Sequence, residues 1–74
     1  MSMSKVSRAF SAALTGKAAS EGCTMIWERG DDGKKRQRLT CGFARPSGER
    51  GTVTGLYEGS HDLEAAAYEL ASRV

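Results

Sequence analysis

KRQRLTCGFAR, residues 35–45, alternates with a period of two: Gln37, Leu39, Cys41 and Phe43 fall on one side, and Arg36, Arg38, Thr40, Gly42 and Ala44 on the other. That is the signature of a β-strand with one face toward a core and the other toward water or a partner. The glycine-containing turns on either side fix its neighbours. Upstream, Gly30-Asp31-Asp32-Gly33 has the chemistry of a type I turn followed by a left-handed glycine, which pairs Gly30 with Lys34. Downstream, Pro46-Ser47-Gly48 repeats that chemistry and pairs Arg45 with Glu49. The first hairpin then sets Cys23 opposite Cys41, Met25 opposite Leu39 and Trp27 opposite Gln37, in a strand over Cys23–Arg29. The second sets Val53 opposite Cys41, Gly55 opposite Leu39 and Tyr57 opposite Gln37, in a strand over Arg50–Glu58.

Both registers gather one apolar set on one face: Cys23, Met25, Trp27, Leu39, Cys41, Phe43, Val53 and Tyr57. A slip of one residue in either hairpin would scatter it. Two amphipathic segments flank the sheet. From Ser4, a candidate N-cap, Val6, Phe10, Ala13, Leu14 and Ala18 recur at helical spacing; the helix ends near Thr15 or runs on to Gly22. After Gly59, Ser60 is the candidate cap of a helix striped by Leu63, Ala66, Ala67, Leu70 and Val74, with Asp62 and Glu64 in its first turn and Arg73 in its last. The expected fold is α+β, in the order α-β-β-β-α, a three-stranded antiparallel meander with both helices on one face.

Seventy-four residues form one domain, 1–74, with room for one core and none for a cofactor domain. No apolar run approaches the roughly 20 residues of a membrane span and none resembles a signal peptide, so a cytoplasmic location and no membrane partner are expected. Cys23, Cys41 and His61 lack zinc spacing, and the cysteines read as reduced core thiols, so neither metal nor cofactor is expected. His61 next to Asp62 invites a catalytic role, but neither cysteine is placed to act with it, and the chain reads as non-enzymatic.

The net charge of +2 conceals a gradient. Residues 1–56 carry ten Lys or Arg against five Asp or Glu, whereas 57–74 carry one against four. On the uncovered sheet face the register sets Arg36 between Glu28 and Glu58, Arg38 between Ile26 and Leu56, and Thr40 between Thr24 and Thr54. An ordinary solvated face is one reading. The sharper one is a partner-binding face of Ile26, Glu28, Arg36, Arg38, Thr40 and Leu56, since interfaces favour arginine beside apolar anchors. Alternatively, Lys34 and Lys35 with Lys5 and Arg8 form a phosphate-holding patch. No aromatic residue lies on the open face to stack bases.

The element order resembles the double-stranded-RNA-binding domain, and Gly59-Ser60 followed by LEAAAYEL, Leu63–Leu70, is similar to that family's entry into its final helix. The resemblance implies nucleic-acid binding, although the family's lysine cluster is replaced here by His61, Asp62 and Glu64. In size and layout the chain also resembles anti-CRISPR proteins, small phage-encoded inhibitors. That resemblance implies a protein partner, a subunit of a CRISPR surveillance complex of type I, whose access to DNA is blocked. A small structural or assembly subunit is a third possibility, and under any of the three the chain is expected to be a monomer or a small homo-oligomer.

Overall fold

The structure, a computed structural model, describes residues 3–74. A helix, α1 (Met3–Leu14), is followed by β1 (Ala19–Arg29), β2 (Lys35–Ala44) and β3 (Arg50–Glu58), and then by α2 (Leu63–Ala71). The strands form one antiparallel sheet in the order β1-β2-β3, and every cross-strand pair named above is observed. Both turns close as their residue types require. Gly30 N–H donates to Lys34 C=O at 2.9 Å and Arg45 N–H to Glu49 C=O at 2.8 Å, while Gly33 and Gly48 take positive φ values of 79° and 92°, which glycine adopts without steric cost.

Both helices lie on the face that carries Leu39, Cys41 and Phe43, and the core joins these to Val6, Phe10 and Leu14 of α1 and to Leu63, Ala66, Ala67, Leu70 and Ala71 of α2. The helices run side by side in the same direction. Lys5 and Glu64 flank one groove near their starts, and near their ends Lys17 Nζ donates to the Ala71 carbonyl at 3.3 Å. α1 also guards the free edge of β1. In a narrow antiparallel pair the backbone N–H points away from the neighbouring strand, and Cys23 N–H accordingly donates outward, to Ser7 Oγ at 3.1 Å. Exposed sheet edges invite unwanted pairing, and this contact covers part of one.

Four expectations are corrected. β1 begins at Ala19 rather than Cys23, because a bulge between Ser20 and Gly22 restores pairing upstream, with Gly22 at φ 99°. Ser4 lies inside the first turn of α1 and does not cap it, although the helix ends at Leu14, next to the expected end near Thr15, where Thr15 and Gly16 turn left-handed. α2 is capped by Asp62, not Ser60: Asp62 Oδ1 accepts from Glu64 N–H at 2.9 Å. Cys23 and Cys41 are joined in a disulfide, with Cα atoms 4.1 Å apart. The register that set them face to face is the same register that allows the bond.

A fifth correction bears on function. Trp27 points to the helix side of the sheet but is 54% exposed. At about 3.3 Å per residue β1 is some 36 Å long, while α1 at about 1.5 Å per residue spans only some 18 Å. Ser7 is level with Cys23, and the four residues back to Met3 reach roughly 6 Å further, about as far as Met25. Trp27 lies past the end of the cover. No helix among the described residues is long and apolar enough to cross a membrane.

Candidate functional site

The face opposite the helices is uncovered, and three cross-strand rows built by the register dominate it. In the first, Arg36 donates to Asp32 through both terminal nitrogens, at 2.7 and 3.2 Å, and its Nε lies 3.6 Å from Glu58. In the second, Arg38 sits between Ile26 and Leu56 but turns diagonally to Glu28, which it holds through Nε and, at 3.1 Å, through Nη2. In the third, Thr54 Oγ1 donates to the Leu39 carbonyl at 3.0 Å, so the 3.0 Å bond between Thr40 and Thr54 uses the Thr40 proton. Thr24 completes that row, exposed.

The charges on this face are matched within the chain. Two guanidiniums meet three carboxylates, Glu28, Asp32 and Glu58. The hydrogen bond from Arg38 holds the Glu28 carboxyl below its usual range, and that from Arg36 does the same for Asp32. Each arginine is held correspondingly higher, Arg36 by its hydrogen bond to Asp32 and Arg38 by its hydrogen bond to Glu28. Solvent-screened pairs of this kind add little to stability. Their larger effect is to remove free positive charge from the face. What remains unsatisfied there is apolar: Ile26 is 57% and Leu56 46% exposed, one on each flank of the Arg38–Glu28 pair. All six residues named from sequence for this face, Ile26, Glu28, Arg36, Arg38, Thr40 and Leu56, are therefore brought together.

The four residues of the alternative patch are not. Lys5 and Arg8 line a groove between the helices with Ala9, Ala12, Glu64 and Tyr68, whereas Lys34 and Lys35 stand at the β1–β2 turn. Arg36, Arg38, Arg45, Arg50 and Arg73 are all engaged with carboxylates.

His61 is taken up structurally. Its ring stacks on Tyr57 with centroids 4.8 Å apart, and its carbonyl accepts from Gln37 Nε2 at 3.2 Å. Gln37, only 4% exposed, also directs that amide at the Glu58 and Gly59 carbonyls, at 3.1 and 3.2 Å. One buried side chain thus fastens the whole β3–α2 loop. With both sulfurs in the disulfide, Cys23 and Cys41 offer no thiolate for His61 to activate.

Sequence reasoning missed the exposure of Trp27. The signal lay in the lengths, since neither amphipathic segment is long enough to cover strands of nine to eleven residues. No protein-family model matches the chain, and no match to it is found among curated proteins or solved structures.

Proposed function

We propose that this protein is a non-enzymatic binding protein whose protein partner docks on the open sheet face, and that it acts by inhibiting a host nucleoprotein complex, in the manner of the anti-CRISPR proteins it resembles in size and layout. The observation that carries the reading is the exposure of Ile26 and Leu56 beside an internally neutralised Arg38–Glu28 pair. Apolar anchors surrounded by satisfied polar groups are what a protein interface requires at its centre, and free cations are what it lacks there. Threonines 24, 40 and 54 extend the same face with hydroxyls suited to its rim.

The test is binding to a reconstituted type I surveillance complex, with target-DNA loading as the functional readout. The wild type is expected to bind and to block loading. The double substitution Ile26→Asp and Leu56→Asp is expected to weaken binding by roughly thirtyfold or more, the loss typical of removing interface anchors. These exposed side chains are better probes than Arg36 and Arg38. Reversing either arginine would set like charges side by side in the sheet and disturb the fold along with the face. Unchanged affinity for a demonstrated partner would remove the assignment of the open face.

A second reading, a nucleic-acid-binding module, is supported by Lys5, Arg8, Lys34 and Lys35, which form no ion pair among the described residues. Free cations are the groups that release counterions on binding phosphate, and that binding would fall steeply with salt.

A further inference from the structure

The end of the sheet that the helices leave bare combines an exposed aromatic ring with cations that have no carboxylate partner among the described residues. Trp27 offers a large ring to solvent, with the edge of its six-membered ring 3.5 Å from where a Cβ on Gly59 would stand. By strand alternation, Arg29 and Lys35 share its face, and they are directly paired across the hairpin. Arg29 spends one donor on the Gly33 carbonyl at 2.7 Å and has no carboxylate partner. Lys35 is likewise without one, in both cases among the described residues. Of the two turn acids, Asp32 is held by Arg36, which leaves Asp31 alone against Arg29 and Lys35.

We propose that this end of the helix-bearing face is a site for single-stranded nucleic acid, in which Trp27 stacks an unpaired base while Arg29 and Lys35 hold the adjoining phosphates. The charge complementarity selects a polyanion. The exposed ring selects an unpaired strand, because bases in a duplex are already stacked on one another and present no free face. The site lies on the opposite side of the sheet from Ile26 and Leu56, so both surfaces are open at once. It builds on the nucleic-acid reading above, but it adds a requirement that reading does not have, namely Trp27 itself.

Trp27 is the only tryptophan in the chain, so its fluorescence reports on this site alone. Titration of the whole protein with a short oligo(dT) at low salt is expected to quench it saturably. Binding should weaken with salt with a log–log slope of about 1.4, since each phosphate contact on a single strand contributes about 0.7 and two cations share the face. In anisotropy with labelled oligo(dT), Trp27→Ala should bind about tenfold or more weakly and Trp27→Phe nearly as well as wild type, as loss and retention of a stacking ring require. Arg29→Glu with Lys35→Glu should lose binding, and Ile26→Asp with Leu56→Asp should leave it unchanged.

If oligo(dT) binds Trp27→Ala as tightly as wild type, the proposed site is wrong and the nucleic-acid reading survives on Lys5 and Arg8. Equal affinity for the matching duplex would also overturn it, since stacking would then play no part. No binding of any strand at low salt would overturn this site and the nucleic-acid reading together.

Discussion

On the inner face of β3 an aromatic ring lies over a glycine twice. A Cβ built on Gly51 would stand 2.9 Å from the Phe43 ring, and one built on Gly55 would stand 2.6 to 2.8 Å from the ring and hydroxyl of Tyr57. Glycine is therefore present at these positions for what it lets the neighbour do: each ring lies flat on the backbone and covers it. Tyr57 in turn carries the stacked His61, and its hydroxyl is buried without a hydrogen-bond partner among the described residues. Burial, and after it the charge of Glu69, hold that hydroxyl's pKa above its usual value. Gly55→Ala must push the ring off the strand and break the stack. We expect it to cost about 1–3 kcal/mol in urea denaturation, the usual loss on overpacking. Gly42→Ala is the control. Its Cβ would meet Glu21 Cβ at 3.4 Å and the carbonyl oxygens of Gly51 and Gly22 at 3.9 and 4.0 Å, all without a clash, and the lower backbone entropy of the unfolded chain should leave it as stable as wild type or up to about 1 kcal/mol more so.

Among the elements, α2 shows how a cap is chosen. Ser60 and Asp62 are both good N-cap residue types, and both precede the apolar stripe. The choice follows from Gln37, whose amide pins the carbonyls of Glu58, Gly59 and His61 and so holds the chain in a loop as far as His61. Only at Asp62 is the chain free to begin a helix. Asp62→Ala should cost about 1 kcal/mol, whereas Ser60→Ala should change the urea midpoint negligibly; equal effects would place the helix start where sequence alone put it. The same contrast explains what was legible beforehand. Strand register depends on turn chemistry a few residues away, and Asp31-Asp32-Gly33 and Pro46-Ser47-Gly48 spell it out. The rows of the open face followed directly, Arg36 between two glutamates included. The cap at Asp62 and the exposure of Trp27 depend on what reaches a residue from elsewhere in the chain. So does the diagonal turn of Arg38 toward Glu28, which leaves Ile26 and Leu56 flanking a paired guanidinium instead of a free one. No local pattern of residue types contains that information.

For the molecule as a whole the open question is how a chain of 74 residues is held together. A protein of this size has a net stability of roughly 4–11 kcal/mol, at about 0.05–0.15 kcal/mol per residue. The Cys23–Cys41 bond closes a loop with a sequence separation of 18, and a loop of that order constrains the unfolded chain by about 3 kcal/mol. One bond between the middle strand and its neighbour would then account for a large share of the total. As reduced thiols the same residues would still fill the core as small apolar groups, so the fold itself does not require the bond. Loss of the bond should therefore lower stability without changing the sheet. Cys23 and Cys41 are almost fully buried, so a reductant reaches them only when the sheet opens, and the comparison needs protein that has been unfolded, reduced and refolded. We expect that material, and the double variant Cys23→Ala and Cys41→Ala, to melt well below the oxidised protein while keeping its far-ultraviolet circular dichroism. If thiol titration of the native material under denaturant finds two free cysteines, and its melting point is unmoved by reductant, the protein works in the reduced form. The core must then hold the sheet unaided, as the reading of Cys23 and Cys41 as buried thiols requires.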